Sequence, residues 1–114
     1  MAQPVSKDPR DFLPLSPQQF HILLALSDED RHGYGIILDV ASRTGDELRM
    51  GTGTLYTALA RLESLELVSE SDREHERRRY YRLTPVGANV LASQRDTWRE
   101  FVLAISRVTG VEHA

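Results

Sequence analysis

Apolar residues recur along this chain with helical spacing in four places and with strand-like alternation in one. The first helix opens after Ser16, an N-cap followed by Pro17 at the first helical position and by Gln19 three residues past the cap. Phe20, Leu23, Leu24 and Ala25 supply its apolar residues, and it ends near Ser27. Asp28-Glu29-Asp30-Arg31 reads as a polar loop. The second helix follows His32-Gly33-Tyr34-Gly35, buries Ile36, Ile37, Val40 and Ala41, and stops at Gly45. After a turn from Asp46 to Gly51, Leu55, Leu59 and Leu62 mark one face of a third helix that ends near Glu66.

The pattern then changes period. Leu67 to Ser71 reads as a strand and Arg79 to Leu83 as its partner, with Tyr81 and Leu83 inward. Tyr80 and Tyr81 are adjacent, so they face opposite sides, one in the core and one half exposed. The loop between the strands, Asp72 to Arg78, is charged and lacks glycine, which predicts a mobile hairpin rather than a tight turn. The last helix has Thr84 as N-cap, Pro85 as first residue and Gly110 as stop. Along it Leu91, Trp98 and Ile105 repeat every seven residues. Phe101 and Val108 form a second series, with Gly87 and Gln94 in its earlier places. This is an a/d seam, the pattern of a helix lying along another helix.

The fold class that follows is mainly α with a small β-hairpin: a winged helix-turn-helix plus a C-terminal dimerisation helix. We divide the chain into a flexible N-terminal arm (1–14), a winged helix-turn-helix domain (15–83) and a dimerisation helix (84–110). The arm carries Pro4, Pro9 and Pro14, while its Phe12 and Leu13 are able to pack on the domain.

Composition narrows the function. A chain of 114 residues suffices for one domain, and one this small gains by hiding apolar surface in a dimer. The absence of cysteine removes disulfides, thiolate zinc sites and cysteine nucleophiles, and fits the reducing cytoplasm. The longest apolar run, Ile22 to Leu26, is far too short for a bilayer, and the start of the chain lacks the pattern of a secretory signal. His21, His32, His75 and His113 are scattered without metal-type spacing. No nucleophile motif, phosphate loop or acid/base pair stands out, so no enzyme, cofactor or metal site is expected.

Net charge is −3, yet from Arg73 to Arg82 five arginines stand against Glu74 and Glu76, a local +3. A polar-faced helix followed by a basic hairpin suits a helix in the major groove and a wing on the neighbouring backbone. On the third helix, Thr54 and Tyr56 are placed to donate to phosphates at its start. Thr52 and Thr57 are neighbours of base edges. Arg61 reaches phosphate or pairs with Glu63 or Glu66. In the wing, Arg77 and Arg78 are the stronger candidates for phosphate contact. Arg79 and Arg82 alternate with the tyrosines and serve the hairpin. Leu91, Trp98, Phe101 and Ile105 are the candidates for a dimer interface or an effector site. Trp98 reads either as a dimer-core anchor or, paired with its copy, as a wall for a flat apolar ligand.

Four segments in register resemble the PadR-type transcriptional regulators, in particular the small subgroup with one C-terminal helix. They are His32-Gly33-Tyr34-Gly35-Ile36, Gly53-Thr54-Leu55-Tyr56, Arg61-Leu62-Glu63, and Arg77 through Thr84 with Gly87. The resemblance covers roughly residues 15–108. It implies a homodimeric repressor that binds double-stranded DNA at an inverted repeat and responds to small aromatic or amphipathic effectors. Thr57 stands where the family often has proline, Ala60 where many members are basic, and His75 and Glu76 where wing glycines are common. The rival reading is a winged-helix protein-interaction module without DNA binding.

Overall fold

The computed structural model describes residues 8–75 and 77–110. A short 3₁₀ turn, Pro9–Phe12, leads into α1 (Pro17–Ala25), β1 (Arg31–His32), α2 (Gly33–Arg43), α3 (Thr52–Ser64), β2 (Val68–His75), β3 (Arg78–Leu83) and α4 (Pro85–Thr109). The three strands form an antiparallel sheet in the order β1-β3-β2. This is the expected mainly α architecture with a wing and a long C-terminal helix.

Local chemistry sets the helix ends. Ser16 and Gln19 form a reciprocal capping box on α1, with Pro17 in the first turn. α2 ends in a Schellman turn: the Asp46 N–H reaches the Ala41 carbonyl at 2.8 Å, with Gly45 in the left-handed region. α3 ends the same way, the Leu67 N–H reaching the Leu62 carbonyl at 3.0 Å, but here Glu66 takes the left-handed position (φ 61°). That turn gives α3 its stop two residues before Glu66. On α4, Thr84 caps the Gly87 N–H at 3.0 Å, and Gly110 closes the helix at φ 71°.

The core gathers the predicted stripes. Ile22, Leu23, Ile36, Val40, Leu55, Leu59, Leu62, Leu67, Val68 and Val90 are all essentially buried. α4 docks on this core through its first turns. Thr84 Oγ donates to the Glu66 carbonyl at 2.6 Å, and the Thr84 N–H to the Leu67 carbonyl at 3.1 Å. Further along, the buried Gln94 Oε1 accepts from the Leu15 N–H at 2.7 Å. The acidic loop after α1 is bound internally. Arg31 donates to the Ala25 carbonyl at 2.7 Å and pairs with Asp28, Glu29 and Asp39, and Arg43 pairs with Asp39 and Asp28.

Four expectations are corrected. Residues 8–14 do not leave the domain: the 3₁₀ turn lies against α4, and Phe12 and Leu13 pack on the core. Residues 1–7 lie outside the described part. Arg31 and His32, read as loop and helix entry, form a third strand that pairs with Tyr81 and Tyr80. That strand makes β3 central, which is why Tyr80 and Tyr81 are both buried (7% and 5% exposed) rather than one half exposed. Finally, the wing is a tighter hairpin than its charges suggested. Beyond a bulge between Glu70 and Glu74 the ladder resumes and reaches His75 opposite Arg78, leaving two residues between them. Glu76, within the loop from Asp72 to Arg78 that was expected to be mobile, falls outside the described residues.

Gly87 is the most confined of the glycines. A Cβ there would lie 2.1 Å from the Leu67 carbonyl oxygen and 2.8 Å from a Leu83 methyl. The first of these is backbone and cannot step aside. We expect Gly87→Ala to lower stability by about 3 kcal/mol, the upper range of overpacking costs. Urea unfolding of the two proteins checks this, and an unchanged midpoint would refute it.

Candidate nucleic-acid interface

α3 divides into a buried and an open face. Leu55, Leu59 and Leu62 enter the core, while Thr52, Thr54, Tyr56, Thr57, Ala60 and Arg61 are exposed. No side chain caps its start, where Gly51 is the N-cap. The first N–H groups of the helix therefore face outward beside the threonines, a setting that favours an anion.

The structure sorts the predicted contact residues into two groups on either side of this helix. Tyr56, Arg77 and Arg78 line one open cleft of about 490 Å³ together with His32, Tyr34 and Arg79. No carboxylate lines it among the described residues. Thr54, Thr57 and Arg61 line a second cleft of about 500 Å³, shared with Ser16, Gln18 and Gln19 at the start of α1. Thr52 is exposed at the first turn of α3 and lines neither. Arg61 pairs with neither Glu63 nor Glu66; among the described residues it makes no ion pair.

The wing arginines differ in what they touch. Arg79 Nε lies 3.7 Å from Glu70, and Arg82 donates to Ser69 Oγ at 3.0 Å, so both serve the hairpin as expected. Arg78 Nη1 lies 2.9 Å from His32 Nε2. Arg77 is exposed and holds φ 63°, in the left-handed region. Behind them, burial pushes the Tyr81 phenol above its usual range, with the Glu63 carboxylate and the Tyr56 phenol adding to it. Tyr81 is therefore a neutral wall of the cleft.

The α4 residues also separate. Trp98 packs edge-on against Phe20 of α1, with ring centroids 4.5 Å apart, so one side of its ring is covered within the chain. Leu91 is half-buried and lines an apolar groove of about 370 Å³ with Phe20, Leu24 and Leu83. Phe101 and Ile105, by contrast, are 61% and 60% exposed. Sequence reasoning missed His32 and Tyr34 as cleft residues, and Gln18 as a neighbour of α3. Only Tyr34 carried a signal, an aromatic between two glycines at a helix start.

Comparison with known proteins agrees with this geometry. Residues 22–93 match the model of the transcriptional regulator PadR-like family. The chain belongs to that family. Its members are transcriptional regulators, not enzymes. A transcriptional regulator from Clostridium thermocellum is 28% identical, with a TM-score of 0.68 over 92% of this chain and 97% of that one. A PadR family regulator from Clostridium difficile is 28% identical, with a TM-score of 0.67 over 84% of this chain and all of that one. A 37.1 kDa protein of a Streptomyces fradiae transposon is 42% identical over 73 residues, which is 64% of this chain. The match spans only 20% of that larger protein.

The PadR-like motif His32-Gly33-Tyr34 has a steric reason here. A Cβ on Gly33 would lie 2.5 Å from the Tyr56 hydroxyl and 2.9 Å from its ring. Gly33 is what lets Tyr56 lie across the start of α2. We expect Gly33→Ala to cost about 1–2 kcal/mol in wild-type background. In a Tyr56→Ala background most of that cost should vanish. A thermal-denaturation double-mutant cycle measures the coupling, and additive losses would rule out the Tyr56–Gly33 contact as the cause.

Proposed function

We propose that this PadR-like protein is a homodimeric, sequence-specific repressor acting in the cytoplasm. It grips an inverted-repeat operator and is released by a small aromatic or amphipathic effector. One observation carries the DNA reading: the exposed polar face of α3 stands between two clefts, one lined by three arginines and no described carboxylate. Thr52 and Thr57 are the residues nearest base edges in this reading. Thr54, Tyr56, Arg61, Arg77 and Arg78 hold phosphates.

Arg77 adds support. Its left-handed backbone costs an L side chain about 1–2 kcal/mol, and glycine would occupy it freely. An arginine at such a place suits a role in binding better than one in folding.

The dimer reading rests on the end of α4. Phe101, Val102, Leu103, Ile105 and Val108 are all exposed in the protomer, Val108 by 88%. So much apolar surface on one helix end calls for a partner, and a second copy of the same helix matches its seam. The apolar groove at Leu91, close to the Phe20–Trp98 pair, offers an effector of modest size a place beside that interface.

The direct test is fluorescence anisotropy of labelled DNA from upstream of the gene against a scrambled duplex, across a salt series. Preferential binding that survives moderate salt is expected. A dimer that ignores both duplexes at low salt would favour the protein-interaction reading instead. Replacing Arg77 and Arg78 by alanine should weaken binding to every sequence and lower the salt slope by about two. Arg77→Gly should weaken binding while leaving the fold at least as stable.

Phe101→Asp with Ile105→Asp should convert the dimer to monomers in sedimentation experiments. Helical content should stay near wild type, because neither side chain enters the protomer core. A variant that remains dimeric would exclude this end of α4 as the interface.

A further inference from the structure

α3 carries small side chains on its outermost strip. Gly53, Thr57 and Ala60 are exposed there, opposite the buried Leu55, Leu59 and Leu62. Tyr56 and Thr54, two residues apart, leave the helix on nearly opposite flanks. Each flank opens into one of the two clefts. Tyr56 lines the cleft that holds Arg77, Arg78 and Arg79, and Thr54 lines the one shared with Arg61 and the start of α1.

These dimensions matter in a groove. A helix with its side chains is about 10–12 Å across, and the major groove is about 12 Å wide. A helix seated there fills the groove, so its two flanks meet two sugar-phosphate backbones, one from each strand. The cleft with three arginines suits one strand. The second cleft then faces the other.

The side chains of the second cleft have different duties. Ser16 and Gln19 are committed to each other: the Ser16 N–H donates to Gln19 Oε1 at 3.0 Å, and the Gln19 N–H donates to Ser16 Oγ at 3.1 Å. Gln18 stands between them in the chain and takes no part in that box. Its half-buried side chain lines the cleft together with Arg61, and no carboxylate stands there among the described residues. A side-chain amide is a neutral donor able to bond a phosphate oxygen.

We propose that Gln18 donates its side-chain amide to a backbone phosphate of the DNA strand opposite the one held by the wing, beside Arg61. This rests on the DNA reading above and adds to it a residue of α1 and the strand it meets. Held on both flanks, α3 is fixed in rotation about its own axis. That rotation sets how far Thr52 and Thr57 stand from base edges. Gln18 is thus a positioning residue for the reading helix.

Gln18→Ala should melt near the wild-type temperature, since the capping box stays and alanine favours a helix. Its binding to the preferred upstream duplex should weaken about tenfold, the loss of one hydrogen bond to a charged group. The salt slope should not change, because a neutral amide releases no counterion. Arg61→Ala, by contrast, should lower the slope by about one. Gln18→Glu should bind more weakly than Gln18→Ala, since it sets a carboxylate against a phosphate.

Neutral methylphosphonates, placed singly along both strands of a half-site, locate the contacts. One position should weaken wild type but not Gln18→Ala, and another should weaken wild type but not Arg78→Ala. The two positions should lie on different strands. Gln18→Ala binding as tightly as wild type would overturn the proposal while leaving the DNA reading intact. So would finding both positions on one strand, or a salt slope that falls in Gln18→Ala. Wild type failing to bind any duplex at low salt would remove the DNA reading and the proposal with it.

Discussion

The Leu67 carbonyl leaves no space for a side chain on the residue that faces it, and the geometry of the whole protein turns on that contact. Leu67 closes the end of α3 and opens the strand that becomes the wing. Its carbonyl accepts from Thr84, and Gly87 lies against it without a Cβ. Thr84 also reaches the Glu66 carbonyl while capping α4. One corner thus sets the relation of α3, the wing and the C-terminal helix. A shift in α4 must be felt in α3, because no flexible linker separates them.

The same economy governs charge. The chain is acidic overall, but Asp28, Glu29 and Asp39 are bound internally by Arg31 and Arg43. The wing keeps Arg77 and Arg78 exposed, while Arg79 and Arg82 hold the hairpin together. Net charge would mislead; the distribution within three dimensions decides which partner is attracted.

One stripe of α4 is buried along its first half and exposed along its second. Gly87, Val90 and Gln94 are buried against the protomer, and Trp98 leans on Phe20. Past Trp98 the same periodicity continues, but the domain has ended and Phe101, Ile105 and Val108 stand in the open. A heptad pattern in sequence records only that one face is apolar. Where burial on that face stops depends on how far the folded core extends.

Everything governed by neighbours in the chain was readable from the residues alone. Ser16, Thr84, Pro17, Pro85, Gly45 and Gly110 act through bonds a few residues long, so they marked ends of three helices correctly. The stripe Leu55-Leu59-Leu62 likewise assigned the open face of α3. Contacts between distant residues were not readable. The pairing of Arg31 and His32 with β3 made that strand central and buried both tyrosines. Phe20 claimed a face of Trp98. The hairpin brought Arg78 to His32, 46 residues away in sequence. Such contacts are set by packing around a shared core, and no local pattern of residues encodes which distant surface will arrive. The helices and the candidate reading face belong to the sequence; the clefts, and the donors that meet in them, belong to the tertiary structure.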